Sequence, residues 1–197
     1  LRNCSLYLIT SNRKDLEEIV LQSLKAGVKI VQYREKFLQD SEKVSQAKCL
    51  ASLCKKYNSL FIVNDRIDIA LAVDADGVHL GQEDIPPKIA RELLGADKII
   101  GRSTHCLKDI KDAEVEGCDY IGIGPIFPSK TKKQLSPIGI NYLKKGLNET
   151  LLPAFAIGGI NSSNINELNE INNPRIAVSD AIINSSNPFS KTQELLK

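Results

Sequence analysis

Eight short apolar runs punctuate the chain: LYLIT (6–10), IVQYR (30–34), LFIVN (60–64), GVHLG (77–81), IIGRS (99–103), YIGIG (120–124), AFAIG (154–158) and RIAVS (175–179). Each is too short for a typical helix and almost continuously apolar, which is how a strand buried on both faces reads. Between them the period changes. Over 15–27, Leu16, Ile19, Val20 and Leu24 recur at helical spacing and Gly27 supplies a stop. Over 40–57, Val44, Ala47, Leu50, Ala51 and Cys54 form the apolar side. Further helical stretches are expected at 86–94, 107–116, 138–146 and 162–171. Strand–helix units repeated in this way predict a parallel sheet. A doubly wound sheet would gather function at one switch point, whereas a barrel opens every strand end onto one rim. Chemistry-bearing residues follow nearly every run, so the pattern favours an α/β fold of the (βα)8 TIM-barrel kind, one small domain over residues 1–197.

Composition narrows the function. With 26 Lys+Arg against 24 Asp+Glu, the net charge of +2 is too balanced for bulk electrostatic gripping of nucleic acid. Trp is absent and aromatics are 5%, so base-stacking platforms are not expected. No apolar run approaches the roughly 20 residues that span a bilayer, and no signal-peptide pattern is present. Five Cys without a CxxC pair read as reduced thiols, hence a cytoplasmic protein. The two His residues, 79 and 105, have no Cys cluster beside them, which argues against zinc. The chain has no Met and starts at Leu1. It is therefore expected to be trimmed or cut from a longer protein, which leaves room for an upstream domain or a homo-oligomer.

The strand ends carry the candidate chemistry. Gln32, Arg34 and Lys36 close the second run; Asn64 and Asp65 the third. Asp84 follows the fourth, Ser103 and His105 the fifth, and Ser129, Thr131 and Lys132 the sixth. Gly158 and Gly159 end the seventh, and Ser179 and Asp180 follow the eighth. Arg34, Lys36 and Lys132 are cations, while Asp65 and Asp84 are hard oxygen ligands on adjacent strands. Two carboxylates plus substrate phosphates are how magnesium is usually held. A diphosphate between those cations and that metal would match the set. The glycines after the seventh strand and the start of the eighth helix form a barrel's usual phosphate position. Taken singly, each feature also has a plain structural reading. Arg34 and Lys36 fit a solvated strand end. Asp65 fits the cap of a helix from Arg66, and Asp84 the cap of the Pro86–Pro87 helix. His79 reads as a satisfied strand residue, Cys49 and Cys54 as core or boundary residues, and 129–133 as a solvated loop. Convergence on one rim favours the functional reading.

Together, QYREK, FIVNDRIDIALAVDADGVHLGQED, IIGRSTH, DYIGIGPIFPSKTKK and AIGGIN resemble the thiamine-phosphate synthase family, from about Leu6 to Ile182. The resemblance implies a small TIM barrel that joins hydroxymethylpyrimidine diphosphate to hydroxyethylthiazole phosphate, with Mg²⁺, and expels diphosphate. It implies that Gln32, Arg34, Lys36, Asn64, Ser103 and Lys132 bind the pyrimidine diphosphate, and that Asp65 and Asp84 hold the metal. It assigns the thiazole phosphate to Ser129, Thr131, Gly159 and the Ser179–Asp180 backbone. The implied chemistry is dissociative, so no enzyme nucleophile is required, and Arg34, Lys36 and Lys132 stabilise the leaving group. The chain departs from the family's usual pattern at Arg102, where a small apolar residue is common, and at Ser129, where Thr is frequent. It departs again at Asp180, where a Ser is common and a carboxylate would oppose a phosphate. Two rival functions are a thiazole tautomerase, which would not need the diphosphate set, and a non-catalytic phosphate-binding barrel.

Overall fold

The computed structural model describes residues 1, 3–129, 136–172 and 174–196. Eight parallel strands run β1 (Leu6–Ile9), β2 (Ile30–Tyr33), β3 (Leu60–Asn64), β4 (Gly77–Leu80), β5 (Ile99–Thr104), β6 (Tyr120–Ile123), β7 (Ala154–Ile157) and β8 (Arg175–Val178). They pair in chain order, and β8 returns to β1, so the sheet closes into a barrel. The doubly wound alternative is thereby excluded. Helices α1 (Leu16–Ala26), α2 (Asp40–Lys56), α3 (Ile67–Ala72), α4 (Pro87–Leu94), α5 (Leu107–Val115) and α6 (Gly139–Asn148) follow the first six strands. After β8 come the short α7 (Asp180–Ile183) and α8 (Pro188–Leu196), which packs on α1 and closes the outer ring.

Alternation along each strand separates two cores. Tyr7, Ile9, Ile30, Ile62, Tyr120, Phe155 and Ala177 fill the interior. Leu6, Leu8, Val31, Phe61, Val63, Val78 and Ile121 face the helices. Inside, Tyr7 and Tyr120 each meet Phe155 edge-on, with centroids 5.1 and 5.7 Å apart. Gly101 makes room for them, since a Cβ there would stand 2.0 Å from the Tyr120 ring. All five cysteines are free, and burial pushes the Cys54 and Cys118 thiols up to about 12. Among the described residues, no helix is long and apolar enough to cross a membrane.

One expected helix is absent. The 162–171 stretch forms only a 3-10 turn, Ile165–Glu170. Its leading SSNIN segment bonds to itself instead of to a helical ladder. Asn161 Oδ1 accepts from the Ser163 N–H at 2.8 Å, and Asn164 Oδ1 accepts from the Asn161 N–H at 2.9 Å. Ser and Asn side chains compete with helix hydrogen bonds in this way.

Candidate active site

The C-terminal ends of the strands open onto one cavity, and its walls include Gln32, Arg34, Asn64, Ser103, Ser129, Gly159, Ser179 and Asp180. Residues from separate loops and strand ends are thus brought together. The strand assignments need one correction: β2 ends at Tyr33, so Arg34 and Lys36 lie in the loop beyond it, while Gln32 is buried inside the barrel. Arg34 is fixed through its backbone, because its N–H donates to the buried Thr10 hydroxyl at 2.9 Å. Glu35, between the two cations, turns away: Oε1 accepts from the Phe37 N–H at 2.6 Å, and Oε2 takes the Asn12 amide at 2.9 Å. Thr131 and Lys132 lie outside the described residues.

Lys36, Asp65 and Asp84 form a second cluster beside the β2–β4 end. Lys36 Nζ stands 3.8 Å from Asp65 Oδ2. Asp65 sits at φ +62°, and around it the Arg66 N–H donates to the Asn64 carbonyl at 2.7 Å. This three-residue turn is strained for a residue with a Cβ, and such strain concentrates at functional sites. The Asp65 N–H still donates to the His79 carbonyl at 2.9 Å, so the turn is anchored to β4. The Asp65 carboxyl is raised to about 6, first by burial and then by the Asp84 carboxyl that hydrogen-bonds it; Lys36 and Arg34 oppose the rise. Neither α3 nor α4 has a side-chain cap, so the capping readings of Asp65 and Asp84 do not hold. Asp84 instead accepts from the Gly81 N–H at 2.6 Å. Two adjacent carboxylates, one kept partly protonated by the other, are a donor set suited to a hard divalent cation. Among the described residues no group of three or more potential metal ligands occurs, so a metal here would draw further oxygens from substrate or water.

The opposite wall is built from glycines. Gly158 and Gly159 have φ of +99° and +68°. A Cβ would stand 2.4 Å from Pro125 Cβ at the first and 2.4 Å from the Pro128 carbonyl at the second. Only glycine satisfies both conformation and space here, so the pair is more than a generic turn. The Gly159 carbonyl is held by the Asn161 and Asn164 amides, each at 2.9 Å. Past β8, Ser179 and Asp180 line the same cavity. Asp180 is exposed, and its Oδ1 accepts from the Asn184 amide at 2.5 Å.

Arg102 serves structure. It is buried, pairs with Glu116, and reaches Gln82 Oε1 at 3.3 Å. Gln82 Nε2 in turn donates to the Ser103 carbonyl at 2.6 Å. Sequence reasoning treated His79 as a satisfied strand residue, and both ring nitrogens do have partners: Tyr120 and Ser103 hydroxyls, each at 3.0 Å. It missed that His79 also lines the cavity. The available signal was parity, since Asn64 and His79 are register partners at the ends of neighbouring strands. His105 lines the cavity as well, with Nδ1–H donating to the Gly124 carbonyl at 2.5 Å.

A (βα)8 barrel whose strand ends join cations, paired carboxylates and a glycine-built wall belongs to the class of anion-handling TIM barrels. The particular lineage follows from comparison. The family model for thiamine monophosphate synthase matches residues 6–182, and the chain belongs to that family. A thiamine-phosphate synthase of the cyanobacterium Prochlorococcus marinus (strain SARG / CCMP1375) is 52% identical over 196 residues, covering 100% of this chain and 57% of that protein. One from Synechocystis sp. is 47% identical, again covering 100% and 57%. The chain therefore spans little more than half the length of these curated relatives. The solved thiamine phosphate pyrophosphorylase of Pyrococcus furiosus superposes with a TM-score of 0.90 at 37% identity, covering 99% of this chain and 95% of that one.

Proposed function

We propose that this chain condenses hydroxymethylpyrimidine diphosphate with hydroxyethylthiazole phosphate, giving thiamine phosphate and diphosphate. The observation that carries the reading is the meeting of Gln32, Asn64 and Ser103 with Arg34, beside the Lys36–Asp65–Asp84 cluster, at one barrel end. In the first step the bond between the pyrimidine's methylene carbon and the diphosphate oxygen breaks, and the electron pair leaves with diphosphate. The thiazole nitrogen then attacks the resulting cation with its lone pair. Arg34, Lys36 and Lys132 stabilise the charge that grows on the departing diphosphate. Gln32, Asn64 and Ser103 orient the pyrimidine. Ser129, Thr131, Gly159 and the Ser179–Asp180 backbone seat the thiazole phosphate, so the two reactants are held for in-line approach. Mg²⁺ held by Asp65 and Asp84 would neutralise diphosphate charge. On this reading residues 1–197 form one catalytic domain working in the cytoplasm on small molecules, with a homo-oligomer or an added upstream domain compatible with the site. Incubation with both substrates and Mg²⁺ should yield thiamine phosphate and diphosphate in equal amounts. Phosphate binding without product would leave a non-catalytic barrel.

A further inference from the structure

A polar chain crosses the barrel interior beneath the cavity. Gln32 Nε2 donates to the Tyr7 hydroxyl at 2.9 Å, and the Tyr7 and Tyr120 hydroxyls are 2.7 Å apart. The Tyr120 hydroxyl lies 3.0 Å from His79 Nδ1, and His79 Nε2 lies 3.0 Å from Ser103 Oγ. The five side chains come from β2, β1, β6, β4 and β5, and all are buried. Both ends, Gln32 and Ser103, line the cavity, whereas Tyr7 and Tyr120 lie beneath it.

We propose that Tyr7, Tyr120 and His79 are positioning residues that couple Gln32 to Ser103, so that one end donates to the pyrimidine ring whenever the other accepts. This deepens, and rests on, the assignment of Gln32 and Ser103 to the pyrimidine. The argument is a proton count. Each hydroxyl supplies one proton and a neutral imidazole one, and each bond in the chain uses one. Burial raises both tyrosines, so their hydroxyls keep their protons. When the Gln32 amide donates to Tyr7, the Tyr7 proton goes to Tyr120 and the Tyr120 proton to His79 Nδ1. His79 Nε2–H then donates to Ser103. Gln32 is left with a carbonyl oxygen for the ligand, and Ser103 with a proton. Rotating the amide half a turn reverses every bond and exchanges the two roles. Any mixed pattern places two protons or none in one buried link, which is costly. An aminopyrimidine edge, with an amino donor beside a ring-nitrogen acceptor, matches such a pair of ends; two donors or two acceptors do not.

The test uses ¹⁵N NMR of the His79 ring in the ligand-free protein at pH 8, alongside kinetics. Wild type should show the Nε2–H tautomer. Gln32→Glu can only accept from Tyr7, so His79, two hydroxyls away, should switch to Nδ1–H. Adding Tyr120→Phe, which keeps the ring packing, should abolish that response, and Tyr7→Phe should do so independently. In assays, Tyr120→Phe should raise KM for the pyrimidine diphosphate by about tenfold and leave KM for the thiazole phosphate unchanged. A His79 tautomer indifferent to Gln32→Glu in a folded protein would overturn the coupling. So would equal KM rises for both substrates. If no thiamine phosphate forms at all, the functional reading fails, while the NMR result still decides the coupling.

Discussion

The Asp65 carboxyl hydrogen-bonds the Asp84 carboxyl, although the two residues follow different strands and neither caps a helix. Two carboxylates at that distance hold a proton between them unless a cation replaces it. Asp65→Asn and Asp84→Asn are each expected to lower turnover by about 10²-fold or more, on the order of the loss from removing one electrostatic stabiliser. Excess Mg²⁺ should recover part of it. Wild-type rates across a magnesium titration would remove both residues from the metal assignment.

The same pair predicts a pH dependence of folding. Asp65 moves from 3.8 to about 6 on folding, so the folded state binds its proton more tightly. Its contribution to stability is therefore complete below pH 3.8 and is lost as pH rises through about 6. Asp65→Asn lacks this loss. Without metal, the variant should gain on wild type between about pH 4 and pH 7, by on the order of 1 kcal/mol once screening at a partly exposed site is allowed for. Mg²⁺ at neutral pH should raise the melting temperature of wild type and leave that of Asp65→Asn unmoved. Parallel melting curves for the two proteins across this range would show that burial of Asp65 costs nothing.

Arg34→Ala and Lys36→Ala are expected to weaken diphosphate binding and turnover by about 2–4 kcal/mol each. Lys132→Ala belongs with them on the sequence reading. Stability should change little, because the Lys36–Asp65 contact is long and exposed, and such pairs contribute about 0–1 kcal/mol. Lys36→Ala should also push Asp65 further up, since Lys36 opposes its rise. Calorimetric titration with diphosphate, read beside thermal melts, separates the roles. Unchanged binding with a collapsed melt would make these residues structural.

All eight strands and the barrel were legible in the sequence, because strands buried on both faces leave short continuous apolar runs. The rim residues were legible because polar side chains interrupt those runs at their ends. Three features were not. The 162–171 helix failed because Asn161, Ser163 and Asn164 satisfy the backbone locally. The left-handed turn at Asp65 leaves no mark in composition, since Asp also serves in ordinary turns and caps. The Tyr7–Tyr120–His79 chain was hidden because each tyrosine reads as one more apolar strand residue. Only closure of the barrel brings the hydroxyls of Tyr7 and Tyr120 within 2.7 Å.

Asp180 stands where related chains commonly carry Ser, at the end of β8 and on the wall of the cavity proposed for the thiazole phosphate. A carboxylate turned inward about 4 Å from that phosphate would oppose binding by roughly 4 kcal/mol at an effective dielectric near 20. The structure shows the side chain exposed, with Oδ1 taking the Asn184 amide one turn along α7. That bond directs negative charge along the helix surface and leaves the backbone of Ser179 and Asp180 to meet the phosphate. Asp180→Ser is therefore expected to change KM for the thiazole phosphate less than about threefold, which is under about 1 kcal/mol. Affinity for the pyrimidine diphosphate should stay constant. Asn184→Ala supplies the converse: freed from its amide partner, the carboxylate can swing toward the phosphate, and KM for the thiazole phosphate should rise while that for the pyrimidine diphosphate holds. A large, selective gain in thiazole phosphate affinity on Asp180→Ser would show that the carboxylate already competes with the substrate.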